Sequence, residues 1–450
     1  MKKPTPPPDF TELFQKVLAS GPKRLGEILK EIPTGPADPY LPWNKIRFKT
    51  PPEGLTQAEW WLGIKFVRMQ MQRELPLVDK DGKSFTFALP DAVLQSLEEI
   101  NRDASGQIAI SEQVTNPITR DRYLVNSLIE EAINSSQLEG AATSRNVAKD
   151  MIRTGRKPRD RDEKMILNNY HAMRFIGEIR DERLTPELIC RIHRIVTDGT
   201  LSNPDASGRF QVPGEDRVGV FTEHGVLLHE PPEAADLPER IDQLCRFANG
   251  EADVGYVPPV LRAMTLHFMM GYEHPFEDGN GRTARAIFYW SMLNQGYWLT
   301  EFIVISSILK QAPSRYARSY PFVEDEHDLT YFHLYQIEVF QRAIRQLHKY
   351  LAEKMSELRE IQKSISTAPD FFNPRKIAIL EHSLKSPNAR FTAKSHMISH
   401  DVVYETARQD LMGLERLGLL VRQRSGREFV WSPVERLSEV LRRLRSSETL

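Results

Sequence analysis

The sequence predicts a mainly helical protein of two or three domains, and three observations carry that prediction. Over most of the chain, apolar residues recur at three- and four-residue spacing, the period of helices with one buried stripe. One stretch, 217–229, alternates instead with the two-residue period of strands. The length, 450 residues, exceeds what a single compact core usually holds. At 40% hydrophobic, 27% charged and 9% aromatic, the composition is that of an ordinary globular chain and excludes a disordered or fibrous one. Lys and Arg number 60 against 61 Asp and Glu, so no whole-protein field would draw the chain onto nucleic acid or an anionic membrane. Any such binding has to be local.

Pro4, Pro6, Pro7, Pro8, Pro33, Pro36, Pro39, Pro42, Pro51 and Pro52 punctuate the first segment. They predict a frayed tail and a loop-rich lead-in, with residues 1–100 as a loop-rich and helical N-terminal region. Helices are expected over 56–72, 91–101, 122–139, 163–181, 186–198, 232–248, 258–272, 282–295 and 330–361. In 217–229, Val218, Val220 and Thr222 alternate, Glu223-His224-Gly225 can turn, and Val226 and Leu228 alternate again, which reads as one short hairpin. Around 364–373 the periodicity lapses into Ser, Thr, Pro and Asp, a linker that separates a central domain, 101–363, from a C-terminal unit, 374–450.

That unit reads as a helix to Leu384, a short helix at 392–399, a third from Val403 to Leu417 stopped by Gly418, and two strands, 419–423 and 428–431. The strands flank Arg424-Ser425-Gly426-Arg427, and the whole resembles a winged helix-turn-helix. On DNA, Tyr404 to Arg416 would be the groove helix, with Arg408 and Gln409 near bases and Arg422, Arg424 and Arg427 at phosphates. Glu405, Asp410 and Glu415 on the same helix would repel phosphate, so protein interaction or dimerisation competes with DNA binding. Arg436, Arg442, Arg443 and Arg445 read as the solvated face of a terminal amphipathic helix.

Cys190 and Cys245 are the only thiols and lie far from any CxxC or zinc spacing, which disfavours a disulfide framework. The start, MKKPTPPPDF, has no apolar signal region, and no run approaches the ~18 apolar residues of a membrane span. The expectation is a soluble, unexported, cytoplasmic protein. His396 and His400 have zinc-helix spacing without the glutamate of HExxH and are expected at the surface. Gly21-x-x-x-x-Gly26 continues with Glu27, so no Walker A loop exists.

The densest signal is His274-Pro275-Phe276-Glu277-Asp278-Gly279-Asn280-Gly281-Arg282-Thr283-Ala284-Arg285, a loop opening a helix. Gly279, Asn280 and Gly281 let the backbone approach a ligand with its N–H groups, and the helix adds its own free N–H groups and positive dipole end. Arg282 and Arg285 share a face of the first turn, where the dipole disfavours a cation by roughly 0.3 to 1 kcal/mol. A bound polyphosphate would reverse that. Asp278 is suited to hold Mg²⁺ through an oxygen, and His274 supplies a base near neutral pH. A lone His-Pro is a common helix stop and an Arg pair a common solvated face, so the weight lies on the combination. The Gly279-x-Gly281-x-x-Ala284 spacing also matches a dinucleotide fingerprint, but it follows a helical pattern where that fingerprint needs a buried strand.

HPFEDGNGRTAR resembles the signature of the Fic family, with every defining position present. The resemblance extends from about residue 122 to 344 and includes the hairpin that such proteins place before the signature. It implies a helical catalytic domain with a small β-hairpin flap that transfers AMP from ATP to a Ser, Thr or Tyr hydroxyl of a target protein, releasing pyrophosphate. By that resemblance His274 is the general base, Asp278 holds Mg²⁺ between the α- and β-phosphates, Gly279, Asn280 and Gly281 cradle phosphate oxygens, and Arg282 and Arg285 clamp the phosphate chain. Phe276 packs in the core, and the flap registers the target segment by backbone pairing. Gln311 falls where relatives often carry an asparagine near the nucleotide.

A second segment can be read from periodicity alone. Leu124, Leu128 and Ala132 form one helical stripe, and Ser135 and Glu139 fall on its continuation, so Glu139 points inward and needs a partner. A local salt bridge before a Gly cap at Gly140 would suffice. Ser135-x-x-x-Glu139-Gly140 also resembles the family's inhibitory motif, whose glutamate pairs with the second signature arginine, here Arg285. The resemblance then implies autoinhibition from a helix N-terminal to the signature, and in some relatives the same glutamate serves AMP removal. It leaves self-modification, a homodimer and transfer of UMP or phosphate open. A nucleotide-sensing DNA-binding regulator is the alternative from another class.

Overall fold

In the computed structural model of the chain, the described residues are 3–32, 39–104, 117–221, 225–366, 372–385, 389–425 and 428–446. They form a mainly helical protein with three two-stranded hairpins. Two compact units result, Met1–Ala109 with Leu124–Arg345, and Ile110–Tyr123 with Gln346–Leu450. Among the described residues no helix is long and apolar enough to cross a membrane.

The first unit begins with α1 (Phe10–Ala19), α2 (Pro22–Lys30), α3 (Trp43–Ile46) and α4 (Gln57–Met69). Val17, Ile28, Ile32, Ile46, Trp61 and Leu62 make a core of their own here. The two leading helices correct the expected loop-rich lead-in. Their prolines fall outside or at the first turn, where the missing N–H costs nothing: Asp9 caps α1 by accepting from Glu12 N–H at 2.8 Å, and Pro22 opens α2. An unexpected hairpin follows, β1 (Arg73–Val78) with β2 (Ser84–Phe87), Glu74 facing Thr86 and Val78 facing Ser84. Leu75, Leu77, Phe85 and Phe87 are its buried side. Pro76 breaks the strand-like run in the sequence, but a two-stranded sheet has free edges that tolerate it.

Next come α5 (Asp91–Ala104), α6 (Pro117–Leu138), α7 (Arg145–Thr154), α8 (Arg161–Glu178) and α9 (Pro186–Thr197). The expected hairpin is present as β3 (Val220–Phe221) and β4 (Leu227–His229), its turn at 222–224 lying outside the described residues. After α10 (Leu237–Ala248), α11 (Pro259–Glu273) and α12 (Asn280–Asn294) form the centre of the unit. Every residue from Arg282 to Leu293 is buried, because α12 packs against α8, α9 and α11 at once. Then follow α13 (Ile305–Gln311), α14 (Pro313–Glu326) and α15 (Thr330–Ser366), whose last part belongs to the second unit.

The second unit contains α16 (Pro374–Lys385), α17 (Ala393–His400), α18 (Tyr404–Arg416), the hairpin β5 (Leu420–Ser425) with β6 (Glu428–Pro433), and α19 (Leu437–Ser446). Ile379, Leu380, Leu411, Leu414, Leu419 and Trp431 are its core. Two expectations change here. His396 is buried, because its ring lies 3.3 Å from the Asp410 carboxylate. Asp410 turns inward on α18 and accepts from Arg375 and Asn373, while the half-buried Glu415 accepts from the Trp431 ring N–H and pairs with Arg422 at 3.4 Å. Glu405 is exposed and paired with Arg408. Gly426 and Arg427 of the β5–β6 turn lie outside the described residues.

Candidate active site

The loop from His274 to Gly279 crosses from the end of α11 to the start of α12. His274 ends α11 in the left-handed region at φ 42°, its N–H still reaching Met270 O at 3.3 Å. Such a backbone costs a non-glycine residue of order 1 kcal/mol and persists only where its surroundings hold it. Here they do. The preceding Glu273 is buried with its two oxygens on Arg240 at 2.7 and 2.8 Å, and Arg240 also donates to Val78 O and Asp79 O. Arg217, at the base of the β3–β4 hairpin, donates to Glu273 O at 2.6 Å. The peptide that enters His274 is therefore fixed from two sides.

Burial, with the nearby charges of His229 and Arg217, pushes the His274 imidazole down to about 4. At neutral pH it is uncharged, the protonation state a general base needs. Its Nδ1 lies 3.3 Å from Asn280 Nδ2. Asn280 also staples the loop, donating to Phe276 O at 2.8 Å and accepting from Phe276 N–H at 3.0 Å.

Phe276 is fully buried and stacks on His193 with ring centres 3.7 Å apart and planes 1° from parallel. Gly208 N–H points at His193 Nδ1 at 2.9 Å, so the ring proton sits on Nε2 and donates to Asp278 O at 2.8 Å. Burial, joined by the charge of Arg282, pushes this imidazole down to about 4 and keeps the tautomer fixed. His193 is thus a positioning residue for the loop that sequence reasoning missed. The available signal was a histidine among Ile189, Ile192 and Val196 on the buried side of α9.

The two glycines are needed for different reasons. Gly279 sits at φ 85°, and a Cβ there would come within 2.7 Å of Thr197 Cγ2. A Cβ on Gly281 would run into the Glu139 carboxylate and lie 3.2 Å from Arg285 Nη1. Arg282 is 1% exposed; its Nη1 donates to Val196 O at 2.6 Å, while Nε and Nη2 have no hydrogen-bond partner among the described residues. Burial pulls its guanidinium down, with Asp278 and Glu139 opposing. Arg285 donates from Nε to Ser135 Oγ at 2.8 Å and from Nη2 to Ser135 O and Glu139 Oε1 at 3.1 and 2.8 Å, and its Nη1 is left over. Burial alone would lower Arg285, but Glu139, Tyr316 and Glu131 more than offset it and leave it raised.

Glu139 reaches Arg285 from the C-terminus of α6. Gly140, at φ 97°, donates to Gln137 O, and Ala141 donates to Ser136 O across five residues, a paired ending that requires the glycine. Ser136 in turn donates to Met165 O of α8 at 3.2 Å. The buried faces of α6, α7 and α8 meet through Ile129, Ala132, Ile133, Ala148 and Ile166.

Asp278 is half exposed, 3.4 Å from Arg161 and 3.8 Å from Arg282. Asp278 is the carboxylate at the mouth of this loop that would hold Mg²⁺. That fits the ion, which is commonly held by one or two carboxylates together with substrate phosphates and water. The unpaired donors of Arg282 and Arg285 fit the phosphates. Gln311 is exposed at the end of α13 and accepts from Arg342 at 2.8 Å.

Residues 183–292 match the model of the Fic/DOC family. "Protein adenylyltransferase Fic" of Drosophila persimilis is 27% identical over 211 residues, 46% of this chain and 39% of that protein. "Protein adenylyltransferase fic-1" of Caenorhabditis elegans is 24% identical over 214 residues, 47% of this chain and 39% of the relative. The chain thus spans about two fifths of the length of these relatives. In fold it is similar to a Fic family protein from Desulfovibrio desulfuricans G20, with a TM-score of 0.50 at 16% identity, covering 77% of this chain and 96% of that one.

Proposed function

The chain carries a Fic/DOC-family domain over residues 183–292, and from that premise we propose that it is a protein adenylyltransferase held in check by its own α6. The carrying observation is the pair of buried arginines with unpaired donors beside a buried, neutral His274. A buried guanidinium N–H without a partner costs the fold, and an anionic ligand removes that cost. Asn280 and Gly281 open α12 at the same place, where first-turn N–H groups have no partner inside the helix, while the Gly279 N–H donates to Asp278 Oδ1 at 2.5 Å.

The chemistry follows from the residues. The His274 lone pair accepts the proton of a Ser, Thr or Tyr hydroxyl on the target, and the oxygen attacks the α-phosphorus of ATP. The bond from that phosphorus to the bridging oxygen of the β-phosphate breaks, and pyrophosphate leaves. Arg282 and the loop N–H groups hold the phosphate oxygens where charge builds up. Asp278 would hold Mg²⁺, and the ion would neutralise phosphate charge. The β3–β4 hairpin, with Phe221 and Leu227 exposed, offers its edge to an extended target segment.

In the resting protein Glu139 occupies Arg285, the cation that would otherwise clamp the far end of the triphosphate. Competition for one guanidinium is then the brake. Glu139→Gly is expected to raise AMP incorporation by about one to two orders of magnitude, the range one charge-assisted contact controls. His274→Ala in that background should remove it. Mass spectrometry after incubation with Mg²⁺-ATP reads both, on the protein itself and on lysate proteins. An unchanged rate in Glu139→Gly removes the inhibitory role. Retention of the γ label instead of the α label would turn the assignment to phosphoryl transfer, and labelling from UTP alone to UMP transfer.

A second reading concerns the C-terminal unit, whose helices and hairpin support a winged-helix-like nucleic-acid reader. Between 374 and 450 the sequence holds 14 Lys and Arg against 9 Asp and Glu, so this stretch is basic in a chain whose net charge is −1. With Asp410 turned inward, one of the three acids expected to repel phosphate no longer faces it, while Glu415 pairs with Arg422. A DNA mobility shift that weakens steeply with salt tests this role. Its absence at low salt leaves protein interaction as the unit's task.

A further inference from the structure

Helix α6 carries a third residue on the stripe of Ser135 and Glu139. Glu131 lies four residues before Ser135 and eight before Glu139, so the three share one face of the helix. Its side chain is 1% exposed, a costly place for a carboxylate. Periodicity left it unnoticed, since the apolar neighbours Ile129, Ala132 and Ile133 account for the burial of that turn.

Its partners lie on the helix that follows the signature helix. Glu131 Oε2 accepts the backbone N–H of Ser306 at 3.1 Å, and Oε1 accepts the Ser306 hydroxyl. Ser306 is the second residue of α13, and its N–H is one of the first-turn donors with no partner inside the helix. The neighbouring donor, Ile305 N–H, goes to the Tyr289 hydroxyl at 3.1 Å, and Tyr289 stands one turn beyond Arg285 on α12. The start of α13 is thus capped jointly by α6 and α12. Farther along, Lys310 donates to Gln137, a second tie between α13 and α6. Burial raises the Glu131 carboxyl, with Ser306 and the charge of Arg285 opposing.

We propose that Glu131 is a positioning residue for autoinhibition: by capping α13 it holds α6 in the register that seats Glu139 on Arg285. The proposal rests on the inhibitory reading of Glu139. The seat needs such help. Glu139 lies just past the last residue of α6 and a third of its side chain is exposed, so its own contact with Arg285 does not fix the helix. Ser135 and Glu131, both buried, do. Replacing the carboxyl at 131 by a carboxamide leaves one Ser306 donor facing an N–H₂ group, loosens α6, and frees Arg285 for nucleotide.

The test is Glu131→Gln, measured alone and in the Glu139→Gly background. Alone, it should raise AMP incorporation about tenfold at sub-saturating ATP and lower the KM for ATP, since leaving a buried donor without its acceptor costs about that factor. In the Glu139→Gly background neither quantity should move, because the brake is already off. Unchanged or reduced incorporation for Glu131→Gln alone, with Glu139→Gly still activated, overturns the positioning role and leaves the inhibitory reading intact. A Glu139→Gly protein no faster than wild type removes that reading and this proposal with it. If Glu131→Gln is insoluble, Ser306→Ala carries the same test with an expected rise of about threefold, because it deletes only the hydroxyl donor.

Discussion

Arg282 in the first unit and Asp410 in the second are both buried charges, and their surroundings differ in kind. Asp410 is saturated: Asn373 donates to Oδ1 at 2.7 Å, Arg375 to Oδ2 at 2.7 Å, and the His396 ring lies 3.3 Å away. Arg282 has one good acceptor, Val196 O, and two donors with none. Folding alone explains the first, since a buried ion with every lone pair engaged holds its helices together. It does not explain the second. A buried cation with donors to spare costs stability unless something outside the chain completes it.

The largest effect expected from this contrast is on transfer. Arg282→Met keeps the aliphatic bulk and removes the charge. In the Glu139→Gly background it should lower AMP incorporation by about two to three orders of magnitude, the usual loss when one stabilising donor leaves a reaction site. The melting temperature without nucleotide should stay or rise, because the unpaired donors go with it. A clear fall in that melting temperature would make Arg282 a structural residue like Asp410 and break the contrast.

The converse substitution should behave in the opposite way. Asp410→Asn replaces a charged acceptor by a neutral amide and leaves Arg375 underpaired, which should cost the C-terminal unit about 1–3 kcal/mol in chemical denaturation. AMP incorporation should be unaffected within error. Loss of transfer in this variant would show that the unit contributes to catalysis as well as to its own fold.

How much of this was legible beforehand depended on the distance over which each interaction acts. The loop from His274 to Arg285 is local, and its helix stop, glycines and paired arginines all fall within twelve consecutive residues. The inward direction of Glu139 followed from helical period, but its partner 146 residues away came only from the family resemblance. The joint cap at Ser306 spans 175 residues and left no pattern in either segment. For the same reason the charge pattern of α18 was misread: Asp410 finds Arg375 35 residues earlier, so an acid that looked solvated is a core residue. The β1–β2 hairpin was hidden for a local reason, Pro76 in the middle of its first strand.

The smallest effect expected is an absence of titration. The folded pKa of His274 is depressed to about 4 from an unfolded value near 6.5, so its free base is fully present above the unfolded value and is lost only as pH falls through about 4. Between pH 6 and 8 an ordinary imidazole would gain roughly fourfold in neutral form, whereas His274 should change by less than a few per cent. Following the imidazole carbon-bound protons by NMR over pH 5 to 8 reads this directly, with the His274 signal identified by its loss in His274→Ala. A stationary His274 signal beside shifting signals from exposed histidines is the expected result. A midpoint near 6.5 would mean that solvent reaches the ring freely, and the burial that makes His274 a ready base would have to come from the bound nucleotide and target instead.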